Sequence, residues 1–221
     1  QAPVTYRHVG SMPHWCWGYE QGFNEHQVVI GNEGLKSKLE PAKDARLVGM
    51  ELIRLGLERG RTAAEAVDVI TDHVSRFGQG EFVNDADVRT YDNGYIVADP
   101  AEAYVIETCG HQWAVARVRE WAAISNVYSL CTDWDRVSDG AEALAVKNGW
   151  WSGGGGKFDF ASAVNDNDSV KGSGACRRRR ARDILSREAG DIGPQTMMQL
   201  LSDHGDGLNP GTPFQTEIGS G

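Results

Sequence analysis

The sequence predicts a layered α+β body in which sheets are covered by helices. Three observations carry this. Segments 42–59 and 62–77 repeat apolar residues at helical spacing, the period shortens to that of strands over 95–118, and helical spacing returns at 177–188 and from Pro194. Strand-like material also precedes the helices, within 3–9 and 27–31.

In the first helical segment Leu47, Val48, Leu52, Leu55 and Leu57 form a broad apolar stripe, and Gly60 suits a C-cap. Thr62 and Glu65 then have the spacing of a capping box. Ala63, Ala66, Val67, Ile70, Val74 and Phe77 continue the pattern to Gly78. So short a link predicts an antiparallel helix pair. The runs YIVAD (95–99), EAYVIETCG (102–110) and HQWAVARV (111–118) are β-branched and aromatic, with turn signals at Asp99-Pro100 and Gly110. They predict an antiparallel meander, which WAAISNVYSLC (121–131) continues as strand or strand-to-loop. Residues 148–176, with GGGG at 153–156 and the polar runs NDNDS and KGSG, read as a long surface loop with some local structure. Residues 205–221 read as a Gly- and Pro-rich tail.

Composition narrows the class. The 221 residues suit one domain, and 40% hydrophobic with 24% charged residues is ordinary for a globular protein. A net charge of −9 disfavours nucleic acid and anionic membranes as partners. No apolar run approaches the roughly 20 residues of a membrane span, and residues 1–10 lack a signal-peptide pattern. Cys16, Cys109, Cys131 and Cys176 are scattered, with no CxxC pair. They read as mostly buried free thiols in a reducing, cytoplasmic setting, with no metal and no cofactor implied.

Several residues are candidates for chemistry. His14 and Cys16 share a face if they lie on a strand, which is the raw material of a cysteine nucleophile; the plainer alternative is a packed thiol between Trp15 and Trp17. Asn24, between Gly22 and Gly31, either donates to a developing oxyanion or takes a turn conformation. Asn126 either reaches into a cleft or ends a strand. Five of the six residues 177–182 are arginine. Such crowding needs compensation from acidic partners, a bound anion or solvent, and an Arg fork suits a substrate carboxylate. The glycine run lacks the GK[ST] of a phosphate loop. Glu51 and Glu58 read as solvated, and His204 as a helix C-terminal residue.

WCWGYEQGFNEHQVVIGNE (15–33) resembles the W-x-WGAEMG-x-NEHGV-x-IGNE signature of the cysteine-type dipeptidases among the N-terminal-nucleophile (Ntn) hydrolases, and of the related secernins. The similarity continues through 47–70, FGQG (77–80), 95–110, ISN (124–126) and MMQLLSDHGDG (197–207). The resemblance implies a four-layer αββα sandwich over residues 1–221, incomplete at both ends. It also implies that the nucleophile, an N-terminal cysteine, lies upstream together with an Arg and an Asp, so that this chain alone is inactive. Asn24 and Asn126 match asparagines of the site, and one Arg of 177–180 matches a site arginine, with Arg177 preferred and Arg180 next. Cys16 falls where the family carries another residue, and His26-Gln27 departs from the usual HG. The expected substrate is a dipeptide or small amide, and the expected partner a missing N-terminal piece or a second copy. The alternatives are an acylase of non-peptide amides and a secernin-like binding protein.

Overall fold

The computed structural model describes residues 2–40, 42–84, 87–166 and 173–203. His204, the tail from 205, the end of the MMQLLSDHGDG element and parts of NDNDS and KGSG lie outside the described residues.

One antiparallel sheet of seven strands organises the chain. In spatial order it runs β1 (His8–Ser11), β2 (Gln21–Asn24), β3 (Val29–Leu35), β7 (Asp92–Ala98), β8 (Ala103–Cys109), β9 (Gln112–Arg117) and β10 (Arg136–Val137). A smaller sheet joins β4 (Ala42–Ala45), β5 (Gly80–Asn84) and β6 (Asp87–Arg89). The predicted meander is present as β7, β8 and β9.

Helices α1 (Gly49–Arg59) and α2 (Ala63–Phe77) cover one face of the large sheet. The Thr62 cap acts as the spacing implies, while Glu65 reaches one residue beyond the N-cap. The Thr62 side chain accepts from Glu65 N–H at 3.2 Å, and Glu65 reaches back to Arg61 N–H at 2.8 Å. Leu52, Ile53, Leu57 and Ile70 meet Ile30, Tyr95, Val97, Ile106 and Val115 in a closed cluster. Each such side chain contributes roughly 1.5–3 kcal/mol by leaving water.

The opposite face is covered at one end only. There Leu35, Val105, Cys109 and Ala114 meet Tyr128, Leu130, α3 (Ala141–Lys147), Phe158 and α4 (Phe160–Val164). Further along the same face Val9, Phe23 and Val29 stand opposite one another and are about half exposed or more. Helices α5 (Ser173–Arg187) and α6 (Pro194–Ser202) follow, with Pro194 opening the latter.

Four expectations need correction. Residues 42–48 are not helical: 42–46 carry no large apolar side chain to bury, β4 pairs with β5, and Glu51 accepts from Val48 N–H to start α1 there. Residues 3–7 are irregular, and pairing begins at His8. Residues 121–131 form no strand. The segment 148–176 is not simply a surface loop, because Phe158, Phe160, Ala161, Ala163 and Val164 are core. Helix α3 has no counterpart in the sequence reading.

Candidate active site

The two predicted asparagines occupy very different settings. Asn24 is buried at the end of β2. Its Nδ2 donates to Leu57 O at 3.0 Å and Gly60 O at 2.7 Å. Its Oδ1 accepts from His26 N–H at 3.0 Å and Val28 N–H at 3.1 Å. A carboxamide has two N–H donors, and both are spent on the C-terminal end of α1. Asn24 thus ties the β2–β3 turn to that helix.

Asn126 is exposed, and its Nδ2 donates to Gly34 O on β3 at 2.8 Å. Its Oδ1 accepts from Arg177 Nη2 at 2.7 Å. Arg177 therefore fixes which end of the carboxamide is which. One Nδ2 hydrogen is anchored on the sheet, and the second has no partner among the described residues. The chain reaches this junction because Gly174, in the first turn of α5, lies against Asn126. A Cβ on Gly174 would stand 2.9 Å from Asn126 O.

Arg177 and Arg180 do not come together. Arg177 also donates to Ser173 O at 3.3 Å. Arg180 forks onto Asp203, with Nε to Oδ2 at 2.7 Å and Nη2 to Oδ1 at 3.0 Å, and so ties α5 to the end of α6.

The structure adds residues that sequence reasoning did not single out. Glu33 follows Asn32 in the GNE of the signature, and the register sets Glu33 opposite Gly94 and Gly94 opposite Glu107. The two carboxyls thus flank a glycine on one face of the sheet. A methyl at Gly94 would collide with Glu33 Oε1, so the glycine makes the space that this carboxyl fills. Glu33 Oε1 has no hydrogen-bond partner among the described residues. Burial, and then repulsion from Glu107, push its pKa up to about 9 against the opposing pull of Arg178 and Arg177. Glu107 is fully buried and accepts from Ser129 N–H, Ser129 Oγ and Leu130 N–H at 2.6–3.0 Å. Burial raises its pKa despite those bonds. Around neutral pH Glu33 is a carboxylic acid, able to donate a proton or a hydrogen bond. On the helix-covered face, Asn32 Nδ2 donates to Asn93 Oδ1 at 2.8 Å while Asn32 Oδ1 is buried without a partner among the described residues. The signal for these residues was the GNE itself, but only strand register shows which way each points.

None of the four cysteines is poised to attack. Cys16 lies in a turn rather than on a strand with His14, and its thiol takes a bond from Gly18 N–H at 3.1 Å. Burial raises the Cys16 pKa, as it does for Cys109 and Cys131, and Cys176 is buried. A thiol held above its usual pKa is less often the thiolate that reacts.

A separate cavity of about 490 Å³ lies near Lys36, Ser37, Arg46, Asp92 and His111. There Ser37 Oγ and Gly110 N–H hold the Asp92 carboxyl, each at 2.6 Å, and burial raises its pKa to about 6. This network links the end of β3 to the β8–β9 turn and holds none of the predicted site residues. Among the described residues no group of three or more His, Cys, Asp or Glu is placed to hold a metal ion, and no helix is long and apolar enough to cross a membrane.

No protein-family model matches the chain. Among solved structures it is similar to the C2A mutant of conjugated bile acid hydrolase from Clostridium perfringens, with a TM-score of 0.52 at 11% identity. The match covers 90% of this chain and 63% of that one, so this chain spans less than two thirds of that protein's length. The likeness is one of fold: the chain shares the α+β sandwich architecture of that protein.

Proposed function

We propose that this chain forms the substrate-facing part of a cysteine-type Ntn amidase that cleaves the peptide bond of dipeptides. The observation that carries the reading is the junction of Gly34, Asn126 and Arg177. There a carboxamide is clamped at both ends, with one N–H left over. A donor fixed before substrate arrives needs no reorganisation when charge develops on the carbonyl oxygen, and one such donor is worth roughly 2.7–4 kcal/mol in the transition state. The fold likeness and the WCWGYEQGFNEHQVVIGNE signature support the same reaction class. The environments of the four cysteines support a nucleophile supplied from outside residues 1–221. Cleavage then runs by thiolate attack on the carbonyl carbon, departure of the amine with a proton, and hydrolysis of the resulting thioester by water.

A second reading, hydrolysis of a non-peptide amide, is favoured by the likeness to a hydrolase of conjugated bile acids. A panel of dipeptides and acyl amides, assayed on an enzyme that includes the nucleophile segment, separates the two. In that enzyme Asn126→Ala lowers kcat by roughly a hundredfold or more with KM little changed. An unchanged kcat would return Asn126 to a purely structural role. The 221-residue chain by itself turns over none of the panel, and robust turnover by it would point back to Cys16.

A further inference from the structure

We propose that the cavity between α5 and the outer end of the sheet binds a carboxylate carried on an apolar body. The cavity measures about 330 Å³. Its apolar lining includes Val105, Ala116, Val118, Trp121 and Ala122. Arg178 and Arg182 enter it from successive turns of α5.

The pairing pattern of the arginines points to an anion. Arg117 and Arg119, also on the lining, have carboxylates: Glu102 at 3.4 Å and Asp135 at 2.7 Å. Arg180 on the same helix has Asp203. Neither Arg178 nor Arg182 has a carboxylate within 4 Å among the described residues, in a chain with 31 acids. Both are held in place by other means. Arg178 Nε donates to Ala123 O at 3.1 Å, and the Arg182 guanidinium lies 5.9 Å from the Trp121 ring centre. Burial, and then the neighbouring charge of Arg182, lower the Arg178 pKa against the longer-range pull of Glu107 and Asp133. Like charges four apart on a helix are unfavourable, and an anion between them removes that cost. The two acids on the lining, Glu120 and Asp133, are exposed and form no ion pair with either arginine among the described residues, although Asp133 draws on Arg178 at longer range. A guanidinium meets a carboxylate through two parallel N–H donors, and the apolar lining suits an aliphatic or aromatic body. In the proposed amidase this is the carboxyl end of the substrate or of a product acid, an assignment that rests on the function proposed above. The binding chemistry itself does not require hydrolysis.

The test is direct binding to the 221-residue chain by isothermal titration calorimetry, with N-acetylphenylalanine as the probe and N-acetylphenylalaninamide as its uncharged match. The acid binds at least tenfold more tightly than the amide, and the difference shrinks in high salt. Arg178→Gln and Arg182→Gln each weaken the acid by about tenfold or more, on the scale of a hydrogen bond to a charged group. Arg179→Gln, whose residue lies outside this lining, leaves the affinity unchanged. Displacement of the probe by Gly-Phe assigns the cavity to the carboxyl end of the substrate, whereas binding without displacement assigns it to a free acid. Equal affinity for acid and amide, or full affinity in both arginine variants with native circular dichroism, overturns the site. The comparison of acid with amide needs no variant, so a variant that fails to fold leaves the test intact. Failure of the amidase assay would sink the proposed function without touching this result.

Discussion

On the helix-covered face of the large sheet, Ile30, Val97, Tyr95, Ile106 and Val115 meet α1 and α2 in a hydrocarbon cluster, with the buried polar group of Asn32, Asn93 and Thr108, joined by Gln79, farther along the same strands. On the opposite face the same strands carry Glu33, Gly94 and Glu107 in one row, with Asn126, Arg177 and Arg178 above one end. A side-chain period of two makes this division possible, since adjacent residues such as Asn32 and Glu33 must serve different faces. The helix face gains stability by excluding water from hydrocarbon. The other face holds a carboxyl against its preference for charge, which is the kind of perturbation found at working sites. The contrast between Asn24 and Asn126 repeats this at the scale of one residue type. The first has every hydrogen bond satisfied and serves the helix pair; the second keeps a donor in reserve.

The largest effect that tests this division is at Asn24. Asn24→Ala strands Leu57 O, Gly60 O, His26 N–H and Val28 N–H in a buried corner. Unsatisfied buried polar groups cost about 1–3 kcal/mol each before water reaches them, so the variant loses roughly 3 kcal/mol of stability in urea unfolding. Asn126→Ala, by contrast, changes stability by less than about 1 kcal/mol, because both of its bonds are exposed. Similar stability losses in the two variants would erase the distinction between the faces.

The next effect is a pH dependence. The Glu33 pKa rises from 4.5 to about 9 on folding. Between those values the folded chain holds a proton that the unfolded chain releases. The Glu33 contribution to stability is therefore greatest below about 4.5 and falls as pH rises toward 9, by up to ~1.4 kcal/mol per pH unit. Asp92 shifts in the same direction but only to about 6, so the window from 6.5 to 8.5 separates Glu33 from it. Glu107 also shifts upward, and the informative quantity is the difference between wild type and Glu33→Gln. Glu33→Gln cannot ionise, so its urea midpoints fall less steeply with pH. Parallel profiles for the two proteins would mean that the Glu33 carboxyl is solvated in solution.

Much of the helix face was legible in the sequence because its rules are local. The capping pair Thr62 and Glu65, the stripe of α2 and the turn at Asp99-Pro100 each act within a few residues. The site face depends on register across strands far apart in the chain. Glu33, Gly94 and Glu107 meet only because β3, β7 and β8 are neighbours. Nothing in the residues alone settles the roles of Asn24 and Asn126, since both match the family pattern and each has a plain local alternative, a turn for the first and a strand end for the second. Phe158 and Phe160 were hidden by the glycine run beside them, although two aromatics so close together are a core signal in their own right.

The smallest effect concerns the turn that Asn24 anchors. Gln27 has φ +62°, the left-handed region, and it stands where the resembling family pattern carries glycine. The turn fixes this conformation: Gln27 N–H donates to Asn24 O at 2.9 Å, and Val28 N–H donates to Asn24 Oδ1 at 3.1 Å. A side chain in this region costs roughly 1–2 kcal/mol, because its Cβ crowds the backbone. Glycine removes that cost but loses about 0.5–1 kcal/mol through its greater freedom in the unfolded chain. The Gln27 side chain is exposed, so little packing is lost. Gln27→Gly therefore raises stability by about 0.5–1 kcal/mol. Gln27→Ala keeps the crowded Cβ and leaves stability nearly unchanged. The pair is read from urea midpoints at a pH where Glu33 is protonated, so that the two faces do not mix. A gain from alanine equal to that from glycine would mean that the left-handed turn is not strained, and that Asn24 holds it without cost.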